Sequence, residues 1–150
     1  MLIEVKVKVT WLIDGKPRKK TETCIVPDCE LFSNAEYRVM SSLIEEQNSG
    51  LVESYEILSL RQSPIKEVCT QWYSDHTLNG YSSFIATLKD TWIDDDGTEK
   101  ALRYKVLLWA MDHPQALARV QSLVRQGYDM HIEGIKQVDY NYLTNSNNGQ

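Results

Sequence analysis

The chain of 150 residues is long enough for one medium domain or two small ones, and its 42% hydrophobic content is sufficient for a core. Its formal net charge of −5 argues against indiscriminate binding of nucleic acid or anionic membrane over the whole surface, because a negative field repels phosphates. One local basic face is still compatible with that charge. Apolar runs fall far short of the roughly 18 residues of a membrane span, so we expect no membrane partner.

The N-terminal residues and the cysteines indicate a cytoplasmic protein. Residues 1–6 alternate charged with apolar side chains, whereas a signal peptide needs a continuous apolar stretch. Cys24, Cys29 and Cys69 are an odd number, and their spacing lacks the paired pattern of a zinc site. We therefore expect reduced thiols, no metal and no cofactor.

An internal repeat organises the chain. Lys8–Leu43 aligns with Lys89–Val124 at a shift of 81 residues without a gap, and 9 of the 36 aligned positions are identical. Average composition gives about two identities by chance. The identical pairs are Lys8/Lys89, Thr10/Thr91, Trp11/Trp92, Asp14/Asp95, Lys19/Lys100, Ala35/Ala116, Arg38/Arg119, Val39/Val120 and Ser41/Ser122. Such a repeat constrains the architecture before any single element does.

The first copy has the pattern of a hairpin, a helix and a strand. Residues 2–13 alternate apolar with polar side chains, which is the period of a half-buried strand, and an Asp-Gly turn joins them to a return strand over 19–26. Ser33 followed by Glu36 predicts a capping box at the start of a helix. Residues 51–61 then return to strand.

The second copy follows the same order after a linker over 70–82 that is rich in turn residues. Residues 84–93 and 100–110 are predicted strands joined by an acidic hairpin. Pro114 stands early in the next helix, where its missing N–H has little cost. The last strand is predicted over 130–143.

These elements predict an α+β fold built as a tandem duplication of a ββαβ unit. Each helix carries one apolar stripe, so the simplest arrangement is a mainly antiparallel sheet with both helices on one face. The copies are residues 1–69 and 83–143, joined by the linker 70–82 and followed by a tail over 144–150 that we expect to be disordered. We expect one compact pseudo-symmetric domain, because each copy alone is marginal in size.

The duplicated layout and two short blocks resemble a known family. The blocks are Ser63–Val68, with the sequence SPIKEV, and Thr91–Lys100, with the sequence TWIDDDGTEK. Over roughly residues 5–142 the chain resembles a family of uncharacterised proteins of Bacteroides-group bacteria and their phages, domain of unknown function 4494. The resemblance implies a cytoplasmic protein of a phage or mobile element, and it implies no activity and no site residues.

The polar side of the strands supplies the candidate site. If the alternating valines of the first strand face a helix, the lysines between them face outward. Lys89 is the repeat counterpart of Lys8, and Arg103, Lys105 and Trp109 share a strand face. Cations that follow phosphates, beside aromatic rings on which bases stack, are typical of single-stranded nucleic acid binding. The predicted phosphate contacts and the predicted stacking residue are Lys6, Lys8, Lys89, Arg103, Lys105 and Trp109.

The sequence therefore favours a non-catalytic accessory binding protein of a phage or mobile element that binds single-stranded nucleic acid on an open sheet face. The alternative is a protein-interaction or oligomeric assembly module, in which the same face meets a protein partner or a second copy and binds no nucleic acid. Lysines on an exposed sheet also serve simply to solvate it and protect its edges. Both interpretations remain open from the sequence.

Catalytic motifs are absent from the sequence, which has no GxGxxG, no P-loop and no GxSxG. The densest carboxylate cluster is Asp94–Asp96 with Glu99. Asp95 has a repeat counterpart at Asp14 in the equivalent turn, so a turn explains both copies whereas a metal site explains only one. A hydrolase that uses this cluster is the least favoured alternative, and we expect that the protein is not an enzyme.

Overall fold

A computed structural model of the chain describes residues 1–73, 80–124 and 130–143. The fold of these residues is mixed α+β and mostly strand, with two four-stranded sheets and two α-helices. The predicted tail 144–150 and residues 74–79 of the predicted linker lie outside the described residues. No helix in the described ranges is long and apolar enough to cross a membrane.

The elements follow one another in an order that repeats after the fourth strand. In chain order they are β1 (Ile3–Ile13), β2 (Lys16–Val26), α1 (Phe32–Asn48), β3 (Val52–Gln62), β4 (Ile65–Val68), a 3-10 turn (Thr70–Trp72), β5 (Ser82–Ile93), β6 (Glu99–Ala110), α2 (His113–Leu123), β7 (Met130–Val138) and β8 (Tyr140–Tyr142). These elements form two compact units. The first unit is Met1–Ser63 together with the residues from Tyr140 onward, and the second unit is Pro64–Asp139.

The sheet of the first unit has the strand order β3-β1-β2-β8. The β1–β2 hairpin closes through Asp14 and Gly15, both with positive φ, which is the geometry of a tight hairpin turn. Strand β3 pairs antiparallel with β1, and β8 pairs parallel with β2. Alternate residues of β1 pack against α1, as the sequence pattern predicted. The buried core of this unit is Ile3, Val5, Val7, Val9, Cys24, Val26, Cys29, Ala35, Val39, Leu43 and Val52.

The sheet of the second unit has the order β4-β6-β5-β7. Strands β5 and β6 form an antiparallel hairpin, β7 pairs antiparallel with β5, and β4 pairs parallel with β6. Helix α2 begins as predicted at a proline-containing turn, where the Asp112 carboxylate accepts a hydrogen bond from the Gln115 N–H at 2.9 Å. The buried core of this unit is Cys69, Phe84, Ala86, Leu88, Val106, Leu108, Ala110, Ala116 and Val120.

The prediction of a single sheet with both helices on one face is corrected. Strand β4 follows β3 after only Ser63 and Pro64, yet it pairs with β6 in the second sheet. Strand β8 follows β7 after Asp139 alone, yet it pairs with β2 in the first sheet. Each sheet is therefore completed at one edge by a strand from the other half of the sequence.

Two local predictions are also corrected. Helix α1 begins after Leu31 rather than at Ser33, because the Asn34 side chain accepts a hydrogen bond from the Leu31 N–H at 2.8 Å and completes the first turn. The predicted last strand over 130–143 is two strands, β7 and β8, which belong to different sheets.

Candidate nucleic-acid interface

Each sheet has an outer face, the side opposite its helix, and in the second unit this face carries three basic side chains in one cross-strand row. Lys89 of β5 lies between Arg103 of β6 and His131 of β7 in the strand register. Arg103 and His131 are exposed and Lys89 is partly exposed. Neighbouring strands lie about 4.8 Å apart, so the three Cα positions span about 10 Å. We call Arg103, Lys89 and His131 the basic row.

One carboxylate lies in contact with the basic row. Glu133 is the extra residue of a bulge in β7, and its Oε1 accepts a hydrogen bond from Arg103 Nε at 2.7 Å. That hydrogen bond is the main reason why the pKa of Glu133 lies below its ordinary value, and the charges of Arg103 and Lys89 act in the same direction. Glu133 therefore competes with any anionic ligand for the Arg103 guanidinium.

Lys105 lies one row further along the same face, in register with Thr87 and Gly134. Its side chain is exposed, and Gly134, at the β7 end of the same row, presents no side chain. The structure thus brings Lys89, Arg103 and Lys105 onto one face of one sheet, as the sequence predicted. This surface combines permanent cations with little steric obstruction, which suits an extended polyanion.

The outer face of the first unit carries Lys6 and Lys8, both exposed, and the prediction that they face away from the helix is confirmed. Lys8 lies between Thr21 of β2 and Glu56 of β3, and Lys6 lies between Thr23 and Ser59. The neighbours of these lysines are hydroxyl groups and one carboxylate.

Trp109 is not a stacking platform, and this prediction is corrected. Its side chain is 3% exposed, and its ring packs against that of Tyr73 with centroids 4.6 Å apart. On the outer face of β6 the exposed residues Arg103 and Lys105 are followed by the buried residues Leu107 and Trp109. The alternation of residues in the sequence predicts on which side of the sheet a side chain lies. It does not predict where along the strand the side chains on that side become buried.

His131 was missed by the sequence analysis. The alternation of His131, Ile132 and Glu133 in the last predicted strand is a signal that could have assigned His131 to the outer face. Its position beside Lys89 depends on the register of β7, which contains a bulge between its pairings with Thr87 and Leu88. A bulge of this kind shifts side chains by one position, so the neighbour could not be read from the pattern alone.

A second polar cluster, also missed, lies between the sheet and α1 of the first unit. The Glu22 carboxylate, 9% exposed, accepts hydrogen bonds from Trp11 Nε1 and from Asn141 Nδ2, the latter at 2.7 Å. These residues line a cavity of about 180 Å³ together with Cys24 and Glu46. Burial and the negative charge of Glu22 raise the pKa of Glu46.

Cys24 does not have the properties of a nucleophile in this cavity. Burial, and secondarily the charge of Glu22, raise the pKa of its thiol to about 11. Reactive cysteines instead have a lowered pKa beside cationic groups. The cluster of Glu22, Trp11 and Asn141 is therefore best explained as a hydrogen-bonded core network that fixes β8 to β2.

The acidic hairpin of the second unit has the geometry of a turn. Asp94 Oδ1 accepts hydrogen bonds from the backbone N–H groups of Asp96 and Thr98 at 3.0 and 2.9 Å. Gly97 adopts a positive φ of 80° in the same turn. The carboxylate of Asp94 thus accepts the hydrogen bonds of backbone N–H groups in the turn, as Asp side chains do in many tight turns.

The fold and this surface define an α+β protein of two sheets that presents basic residues on an exposed sheet face. The chain belongs to the family described as domain of unknown function (DUF4494), whose model matches residues 1–142. No curated protein and no solved structure matches the chain.

Proposed function

We propose that this protein is a non-catalytic binding protein that takes single-stranded nucleic acid on the outer face of its second unit. The observation that carries the proposal is the basic row, in which Arg103, Lys89 and His131 lie side by side across β6, β5 and β7. A strand of nucleic acid that crosses these three strands would place its phosphates near the cations of Arg103 and Lys89, with the His131 imidazole at the third position. Lys105 extends the positive surface by one row.

The charge distribution supports a restricted rather than a general interaction. With a net charge of −5, the remainder of the protein repels phosphates, so binding is confined to the face where cations are concentrated. The proposal places the site on the second unit because Lys89, Arg103 and Lys105 lie there in two neighbouring rows of one sheet face.

Because Trp109 is buried, base stacking does not supply the affinity in this account. Binding rests on ion pairs with phosphates, which release counterions and therefore weaken steeply with salt. It follows that the protein should show little preference among base sequences, since backbone contacts carry no sequence information.

The experiment is a fluorescence-anisotropy titration of a labelled single-stranded DNA of about 30 nucleotides at low ionic strength. We expect Lys89→Glu and Lys105→Glu each to weaken binding about tenfold or more, since each replaces an attraction by a repulsion. Lys16→Glu is the matched control, because Lys16 is exposed in register with Ile13 on the helix-facing side of the first sheet. Equal losses in all three variants would contradict a localised site.

The alternative function is a protein-interaction module, and exposed apolar side chains at the start of α1 favour it. Leu31 is 62% exposed and Tyr37 is 72% exposed, with Phe32 also exposed between them. Clustered apolar side chains on a surface commonly mark a protein contact. A Tyr37→Ser variant that binds DNA normally but loses a protein partner recovered from the source cell would favour this alternative.

We also propose that the chain arose by tandem duplication of a ββαβ unit. In support, both units have a register shift at equivalent positions. The pairing of β1 with β3 shifts between Lys6 and Val7, and the pairing of β5 with β7 shifts between Thr87 and Leu88, 81 residues later. The repeat identities in the sequence use the same shift. The cytoplasmic setting in a phage or mobile element remains a prediction from the family resemblance.

A further inference from the structure

We propose that a second copy of this chain is a binding partner, and that two copies form a dimer by exchanging halves. The halves are residues 1–73 and 80–143. Neither half completes a unit, because the first sheet takes β8 from the second half and the second sheet takes β4 from the first half. This inference is independent of the proposed nucleic-acid site.

Hydrogen bonds and buried contacts hold the exchanged strands β4 and β8 in the units that receive them. In the first unit, the Leu143 N–H donates to the Ile25 carbonyl at 2.9 Å, and Arg38 Nη2 donates to the Leu143 carbonyl at 3.0 Å. In the second unit, the Cys69 N–H donates to the Leu107 carbonyl at 2.8 Å. Cys69 is 1% exposed and belongs to the core of that unit. A unit without its received strand would lose these hydrogen bonds and expose part of its core.

The connections on either side of the exchanged strands fix which segments move together. Ser63 and Pro64 alone join β3 to β4, and Asp139 alone joins β7 to β8. Residues 74–79 are the one covalent link between the two halves within the chain. The contacts between described residues inside both units can therefore form whether that link joins halves of one copy or halves of two copies.

The choice between one copy and two is then set by the link and by concentration. A partner joined through a short link acts at an effective concentration of order millimolar, so the intact chain favours the monomer at ordinary concentrations. Exchange of identical elements between copies needs no new interface, which makes it a low-cost route to a dimer. We expect deletion of the link to disfavour the monomer, because Tyr73 must then be bonded directly to Gly80.

The test uses a disulfide that reports which chain supplies β8. Thr23 of β2 and Tyr140 of β8 are register partners on neighbouring strands, so a Thr23→Cys/Tyr140→Cys double variant is within the range of a disulfide. The natural cysteines Cys24, Cys29 and Cys69 are buried. The matched control is the Lys6→Cys/Thr23→Cys double variant, whose two positions lie in one half of the chain.

With residues 74–79 deleted, we expect a dimer by light scattering. On a non-reducing gel we expect an interchain disulfide in the Thr23→Cys/Tyr140→Cys variant and only an intrachain disulfide in the control variant. In the full-length chain refolded at about micromolar and about millimolar concentration, we expect the interchain fraction of the Thr23→Cys/Tyr140→Cys variant to rise with concentration.

The measurement on the full-length chain decides the matter if the deletion variant does not fold. Intrachain disulfides alone at every concentration would overturn the proposal. A dimer of the deletion variant in which the disulfide between positions 23 and 140 stays intrachain would also overturn it, because each copy would then supply its own β8.

Discussion

Arg38 and Arg119, which lie 81 residues apart, make similar contacts in the two units, with accepting carbonyls that differ by one position in the repeat. Arg38 Nη1 donates to the carbonyl of Pro27 at 2.5 Å, and Arg119 Nη1 donates to the carbonyl of Trp109 at 2.6 Å. Each carbonyl lies near the C-terminal end of the second hairpin strand of its unit. The guanidinium thereby fixes the helix to the strand, which gives a physical reason for the repeated Ala-x-x-Arg-Val-x-Ser pattern in the two helices.

Replacing Arg38 by alanine is expected to destabilise the first unit by about 1–3 kcal/mol, because the partly buried carbonyls of Pro27 and Leu143 lose a donor. Arg38→Lys should recover only part of this loss, since one ammonium does not reproduce the planar fork of donors. Urea unfolding measures the change. Arg18→Ala, at an exposed position of β2, is the control, and equal stability of the two alanine variants would contradict the assignment.

Replacing Glu133 by glutamine is expected to strengthen nucleic-acid binding severalfold. The change removes the carboxylate that holds Arg103 at 2.7 Å and frees that guanidinium for phosphate. Anisotropy titrations of the variant and of Glu53→Gln, an exposed change in β3 of the first unit, provide the comparison. A Glu133→Gln variant that binds no better than Glu53→Gln would show that Arg103 takes no part in binding.

Alkaline pH is expected to destabilise the protein through Cys24 and Cys69. Burial in both cases, with smaller effects of Glu22 and Glu67, raises the pKa of each thiol from 9.0 to about 11. The unfolded chain releases these protons first, so their contribution to the free energy of unfolding is full below about pH 9 and is lost as the pH rises toward about 11.

Denaturant unfolding at about pH 8 and about pH 10 measures this loss, and the Cys24→Ala/Cys69→Ala variant should show a shallower decline. The comparison concerns the change with pH, because the substitutions also alter core packing at every pH. An unchanged decline in the double variant would assign the alkaline sensitivity to other groups.

The hairpin at Asp94 provides a test of the turn against a metal-dependent role. Asp94→Ala should lower the stability by about 1 kcal/mol, because Asp96 and Thr98 lose the acceptor of their N–H groups. Asp95→Asn should have little effect, with or without Mg²⁺ or Ca²⁺, as measured by thermal unfolding. A metal-dependent rise in Tm that Asp95→Asn abolishes would instead favour the hydrolase interpretation.

The sequence was informative wherever local periodicity controls the structure. The alternation of β1 assigned Val5 and Val7 to the core and Lys6 and Lys8 to the outer face, because successive strand residues point to opposite sides. The hairpin turn at Asp14 could also be predicted from the sequence, because only a few residue types accept its positive φ.

The remaining features depend on contacts between distant segments. Strand β8 has three residues and strand β4 has four, and the sequence of neither indicates which strand it pairs with. The division into two sheets therefore could not be predicted. The buried ring of Trp109 packs against that of Tyr73, which lies 36 residues earlier. The basic row required the register of β7 with β5 across a bulge.

The salt dependence of single-stranded DNA binding tests the central claim most directly. About three neutralised phosphates, on Arg103, Lys89 and Lys105, predict a slope of about −2 in a plot of log affinity against log salt concentration. Lys89→Glu should make the slope shallower by about 0.7 or more. A slope near zero, or no detectable binding at low salt, would contradict the account and leave protein contacts as the function of this surface.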